Sequence, residues 1–191
     1  MATETWPITG DTDSDRLLLS DPLALLLGML LDQQVPMEWA FRGPATLQQR
    51  LGGHLDATEI VELGPDRLDE IFREKPALHR YPGSMAKRAY ALCEHVVSDY
   101  GGDAARIWKG TRSAETVYER LRALPGYGEE KAKILLAILV KRWGKTFDGF
   151  DKVADPFSDN LPRSAADVDS AQRLQEVRAF KQRKKSGSQA P

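Results

Sequence analysis

Leu124-Pro125-Gly126-Tyr127-Gly128 is the stretch on which the fold turns. Upstream, Ser113 is placed to cap a helix carrying Val117, Leu121 and Leu124, with Glu115 in the first turn where the helix dipole favours a carboxylate. Downstream, Ala132, Leu135, Leu136, Leu139, Val140 and Trp143 fall on one helical stripe that Gly144 stops. The residues between allow only a tight turn, so residues 113–143 read as a helical hairpin. Gly126 and Gly128 are expected to take positive φ and to leave the backbone N–H groups unobstructed. Those N–H groups, with the positive end of the following helix, make a nest for a phosphate oxygen. Tyr127 is expected to point inward and lock the helix pair. An ordinary capped turn fits the same five residues.

Working outward, Asp21-Pro22 pairs an N-cap with proline at the first helical position. The run Leu23–Leu31 is apolar nearly all round and predicts a buried core helix. Pro36 ends or bends it, and Gly43-Pro44 predicts the start of a short helix closing at Gly52-Gly53. Asp56 caps a segment to about Leu63, and Pro65 opens one to about Glu74. Met85, Ala89, Leu92, Val96 and Tyr100 trace a longer helix closed by Gly101-Gly102. A short helix holds Ile107 and Trp108. Residues 145–164 read as loop, residues 164–184 as a last helix, and residues 1–12 as a disordered lead. With about ten helices and few Val, Ile and Thr runs, the expected class is all-α.

The 191-residue chain carries 27 Lys and Arg against 28 Asp and Glu, a net charge of −1. A DNA-binding reading therefore requires its basic residues to gather on one face. Arg173, Arg178, Lys181, Arg183, Lys184 and Lys185 make the last helix basic, either as a solvated tail or as a source of phosphate contacts. Cys93 is the only cysteine, which excludes intrachain disulfides and any four-cysteine cluster; its place in an apolar stripe predicts a buried, inert thiol. No stretch approaches the roughly 20 apolar residues of a membrane helix, and the acidic N-terminus lacks the order of a secretory signal. A cytoplasmic, monomeric protein is expected.

Leu124-Pro125-Gly126-Tyr127-Gly128-x-x-Lys131-Ala132 resembles the hairpin of the HhH-GPD superfamily of base-excision DNA glycosylases, which includes endonuclease III. Three further segments fit in order. Met29-Leu30-Leu31-Asp32-Gln33-Gln34 is similar to the family's early helix and its glutamine-bearing end. Gly83 to Ala89 resembles a Gly-aromatic-basic-basic-Lys-Ala segment, with Arg88 in the lysine place. Asp148, 16 residues after Ala132, lies near the family's catalytic aspartate. The resemblance covers roughly residues 20–150. It implies two helical lobes with a cleft between them: residues 21–143 as a central lobe carrying the hairpin, and residues 1–20 and 144–191 as the terminal-helix lobe, catalytic-type loop and basic tail.

The implied activity is that of a DNA glycosylase acting on double-stranded DNA, with a damaged or mispaired base flipped into the cleft and its N-glycosidic bond hydrolysed. Gly126, Tyr127, Gly128 and Lys131 would grip the backbone. Gln33 and Gln34 would fill the gap or contact the orphaned base, and His79, Tyr81 and Arg88 would line the pocket or meet phosphates. No side-chain metal site and no cofactor is implied, only a monovalent cation at hairpin backbone carbonyls.

The sequence departs from the family pattern in four places. Glu130 stands where bifunctional members keep a nucleophilic lysine, and Lys131 is about 100° further round the helix, so a monofunctional mechanism is expected. Glu129 and Glu130 place two carboxylates beside the phosphate nest, partly offset by Lys131 and Lys133. The usual Val-Asp-Thr-His is replaced by Thr146-Phe147-Asp148-Gly149-Phe150-Asp151-Lys152, leaving Asp148, with Asp151 as the alternative, for the carboxylate that would be partly shielded near the lobe junction. The iron–sulfur cluster of endonuclease III-like members has no ligands here. His54 and His95 have no partner in the sequence. Two other readings remain open: a DNA-binding protein without catalysis, and a protein-interaction module on the same scaffold.

Overall fold

The Asp21 side chain accepts the Ala24 N–H at 3.0 Å and Pro22 takes the first helical position, so α2 (Pro22–Leu31) begins where its sequence signals it. The computed structural model describes residues 6–187. Before α2 comes α1 (Thr12–Ser20); after it come α3 (Met37–Arg50), α4 (Ala57–Leu63), α5 (Pro65–Arg73) and α6 (Pro82–Tyr100). A 3-10 turn at Ala104–Ile107 leads to α7 (Ala114–Arg122) and α8 (Glu129–Lys141). The chain then forms α9 (Phe150–Val153), a 3-10 turn at Ala165–Asp167 and α10 (Ala171–Lys185). Among the described residues there is no strand, only an isolated bridge between Ser113 and Asp148. The chain is all-α, and none of its described helices is long and apolar enough to cross a membrane.

Every residue of α2 from Leu23 to Leu31 is buried, which makes this helix the hub. Each leucine buried there contributes roughly 1.5–3 kcal/mol relative to exposure. α1, α3 and α6 pack around it, α4 and α5 lie on α6, and α7 packs on α8. The Tyr127 hydroxyl donates to the Leu26 carbonyl at 2.7 Å and ties the α7–α8 turn to the hub. The two ends of the chain meet as well. Trp6 Nε1 donates to the Ala165 carbonyl at 3.1 Å, and Trp143 Nε1 to that of Leu18 at 3.2 Å. A buried ion pair, Lys141–Asp167 at 2.6 Å, fixes α8 to the second 3-10 turn.

Several local expectations are corrected. Residues 6–12 are not a disordered lead: Trp6 and Ile8 are fully buried, and Thr9 donates through N and Oγ1 to Asp15 Oδ1. The rest of that lead, residues 1–5, lies outside the described residues. Gly43-Pro44 is interior to α3, because packing against α2 overrides proline's local preference. A Cβ at Gly43 would come within 2.4 Å of Leu31 Cδ1, so glycine is the residue that admits this approach. The last helix is split, since Ser164 and Asp167 form a capping box on a 3-10 turn and Ser170 caps α10 afresh. The loop after Gly144 contains α9. Cys93 is buried as expected, and burial pushes its thiol up to about 12.

Candidate nucleic-acid interface

The hairpin turn is built by one left-handed glycine. Gly126 has φ +82°, and a Cβ there would meet Leu30 Cδ1 at 2.4 Å; positive φ and close approach to α2 both demand glycine. Gly128 departs from the expectation of positive φ. It lies at φ −106°, ψ −176°, extended backbone that begins α8 without a side-chain cap. The first N–H of α8 to enter its ladder is that of Ala132, bonded to Gly128 O at 3.0 Å, so the amides before it have no intrahelical partner. Gly126 and Gly128 are exposed, as a phosphate nest needs. Among the hairpin carbonyls where a cation was expected, that of Leu124 already accepts the Tyr127 N–H. Tyr127 itself is buried, and burial raises its phenol well above the ordinary tyrosine range.

Lys131 lies elsewhere than the backbone grip expected of it. Its Nζ donates to Leu30 O at 3.0 Å, capping the C-terminal end of α2 where a cation suits the helix dipole. Burial lowers its ammonium to about 8, against the opposing pull of Asp32. Leu30 O also accepts from Gln33 Nε2 at 2.8 Å, and Gln33 Oε1 accepts from Arg88 at 2.7 Å. His79 completes this knot. Its Nδ1 accepts the Tyr81 N–H at 3.0 Å, which leaves Nε2 to donate to the Gln33 carbonyl at 3.1 Å. Burial lowers the His79 pKa, and the assigned tautomer is that of the neutral ring.

The two glutamines, equivalent in sequence, therefore differ. Gln33 is consumed inside the knot, whereas Gln34 is exposed at φ +57°, the one non-glycine in the left-handed region among the described residues. Such backbone strain persists only where the surroundings enforce it; here the Gln33 knot on one side and Pro36 at the start of α3 on the other do so.

Beside this turn opens a cleft of about 1460 Å³ between α10, the start of α3 and the first turns of α8. Small-molecule pockets usually hold about 300–1,000 Å³, so the cleft has room for part of a macromolecule. Six cationic side chains line it (Arg42, Arg163, Arg178, Lys181, Lys184 and Lys185) against three carboxylates (Asp32, Glu38 and Glu130). A chain of net charge −1 thus gathers positive charge on one face, which is the condition its composition set. The basic residues of α10 supply most of it, and they pair with the cleft's acids: Arg178 with Glu38, Lys181 with Asp32 at 3.4 Å, Lys184 with Glu130 at 3.2 Å.

Asp148 is outside this cleft. Its N–H and carbonyl bond to Arg112 O and Ala114 N, pinning it beside the first residue of α7. The nine residues of α7 put that point about 13 Å along the axis from the hairpin turn. Its side chain is 73% exposed and its one salt-bridge partner among the described residues is Arg112, at 3.8 Å; Asp151 is exposed too. The shielded carboxylate expected of the loop is therefore absent from both positions. Two of the cleft's carboxylates are shielded: Glu38, 19% exposed and taken up by Arg178, and Asp32, 15% exposed, between Lys181 and the Lys131 ammonium. The sequence signal of Asp32 was faint but present: an acid closing an apolar helix stands where the dipole disfavours it. Trp39 was also missed; it lines the cleft while 40% exposed. Among the described residues no group of three His, Cys, Asp or Glu is placed to hold a metal ion. His54 pairs with Glu59 at 2.5 Å and His95 with Asp99 at 3.6 Å, both away from the cleft.

No protein-family model matches the chain, and no curated protein matches it either.

Proposed function

We propose that the chain is a monofunctional DNA glycosylase of the HhH-GPD kind, gripping double-stranded DNA by the α7–α8 turn and removing a base turned into the adjoining cleft. The observation that carries this reading is the juxtaposition of an exposed, glycine-built hairpin turn with a cleft whose lining is positively charged in an otherwise near-neutral chain. Phosphates bind at the α8 amides and along α10. Gln34, exposed on its left-handed turn and lining the cleft, fills the space a displaced base leaves. As the N-glycosidic bond breaks, positive charge grows on the sugar, and a carboxylate in a partly dry site stabilises it. In this cleft that carboxylate is Asp32. No lyase step is included, because Glu130 is turned to Lys184 and the Lys131 amine is engaged by Leu30 O.

The experiment is a release assay on duplexes carrying deaminated, oxidised or alkylated bases, run with wild type, Asp32→Asn and Asp148→Asn. Loss in Asp32→Asn with retention in Asp148→Asn supports the cleft carboxylate, and the reverse restores the loop aspartate. Borohydride trapping on an abasic duplex should give no covalent adduct. A second reading, DNA binding without catalysis, is favoured by one observation, the exposure of Asp148; release of no base alongside salt-sensitive binding selects it.

A further inference from the structure

Among the described residues only four large apolar side chains are notably exposed, and the two aromatic ones belong to a single feature. Trp39, on the first turn of α3, and Tyr81, just before α6, are 40% and 43% exposed. Buried His79 lies between them. The Trp39 and His79 rings are 6.3 Å apart at 30°, and those of His79 and Tyr81 are 6.1 Å apart at 42°. The three rings form a ladder whose middle rung is fixed at both nitrogens. The same His79 bond to Gln33 O ties the ladder to the Gln34 turn.

The surroundings narrow what would cover such a surface. The Arg80 guanidinium lies 5.5 Å from the Tyr81 ring centroid, Arg42 is one turn along α3 from Trp39, and Arg88 is fixed on Gln33. None of these three arginines forms an ion pair among the described residues. Glu38, next to Trp39 in sequence, is turned away to Arg178. Exposed aromatic faces flanked by arginines that form no salt bridge, of which only Arg42 feels a nearby acid, Asp11, fit a polyanion with flat apolar groups better than a protein surface. Nucleic acid has that chemistry, but only unpaired bases present a free face; in intact duplex both faces of each base are covered by its neighbours.

We propose that the Trp39–His79–Tyr81 ladder is a stacking platform for unpaired nucleobases, so that DNA with a single-stranded segment is bound in preference to intact duplex. The inference rests on the DNA-binding reading above and adds a ligand class to it. It is independent of base removal.

The test measures binding of three labelled ligands by anisotropy: a short oligodeoxythymidine, a blunt duplex, and a duplex with a short single-stranded gap. Tryptophan emission is followed in parallel. Trp6 and Trp108 are buried and Trp143 is half-buried against Trp108, so quenching by added strand reports Trp39. The strand and the gapped duplex should bind tighter than the blunt duplex and quench the emission. Trp39→Ala and Tyr81→Ala should each weaken strand binding by roughly five-fold or more and blunt-duplex binding by a clearly smaller factor. Trp39→Phe, which keeps a ring, should retain most of the affinity, and unchanged melting curves verify the fold. Duplex binding that persists with no preference for the strand and no effect of either alanine variant overturns the platform alone. Failure to bind any of the three ligands overturns the DNA-binding reading with it.

Discussion

Lys184 Nζ of α10 lies 3.2 Å from Glu130 Oε1 at the start of α8, joining residues 54 positions apart across the mouth of the cleft. This contact answers the objection that the hairpin sequence raises against itself. Glu129 and Glu130 flank a nest meant for phosphate, yet Glu129 pairs with Lys133 at 3.1 Å and Glu130 with Lys184. Both glutamates and Lys184 are exposed and Lys133 is half-buried, so each pair adds little stability. Their consequence is electrostatic: the local charge seen by an approaching phosphate is close to balanced, and Lys185 and Arg42, which line the same cleft, tip it positive.

Reversing two of these charges should therefore alter binding much more than folding. The double variant Lys184→Glu/Lys185→Glu is expected to weaken duplex binding and to flatten the plot of log affinity against log salt by about two. Its unfolding free energy should change by less than about 1 kcal/mol per site. Anisotropy titrations across a potassium chloride series, with urea denaturation alongside, measure both. An unchanged salt slope would exclude α10 from the interface.

The turn itself makes a harder prediction. Gly126→Ala places a Cβ at φ +82° and drives it against Leu30, two independent penalties that together should cost more than about 2 kcal/mol. Tyr127→Phe keeps the ring and removes only the 2.7 Å bond to Leu26 O, a loss of about 1 kcal/mol. Denaturation midpoints in that order support a turn seated on α2; an Ala variant as stable as wild type would contradict the seating.

Gln34 tests whether strain is kept for binding. At φ +57° a glutamine is disfavoured by roughly 1–2 kcal/mol, and glycine relieves most of that. Gln34→Gly should then raise stability by about 1 kcal/mol, less some backbone entropy, while weakening binding to a duplex with a displaced base. A variant that gains stability with binding unaltered would leave the turn without a functional reason.

How far the sequence spoke follows from the range of the forces involved. Caps and breakers act within a few residues, so Asp21-Pro22, Asp56, Ser113 and Gly101 located their helix ends correctly. Pro44 misled, because the packing of α3 on α2 is a long-range effect that overrides a local preference. The site was legible only where it is local. The hairpin turn and the glutamine pair were visible, but what separates Gln33 from Gln34 is a bond to Arg88, 55 residues away. Asp148 was chosen by spacing alone; its exposure follows from pairing with Arg112 and Ala114, which no spacing rule reports. Trp39 and Tyr81 are far apart in sequence, and the His79 ring that joins them has no local signature.

Lys131 supplies a test that needs no ligand. Burial lowers its ammonium from 10.5 to about 8, so the folded state gives up this proton more readily than the unfolded chain. Below about pH 8 the group is charged in both states, and the full cost of burying the charge is present. Between about 8 and 10.5 the unfolded chain still holds the proton while the folded chain has lost it, so this group's contribution to stability rises with pH. Above 10.5 both are neutral and the cost is gone. The full excursion is on the order of 3 kcal/mol. Other groups also titrate in this range, and for that reason the quantity to measure is the difference between wild type and Lys131→Met, which share every other group. The methionine fills the same space without a charge and forgoes the bond to Leu30 O. Wild-type stability should climb relative to the variant as the pH passes from 7 to 10, most steeply above 8. A constant difference over that interval would mean that the Lys131 amine is solvated in the folded protein and does not cap α2.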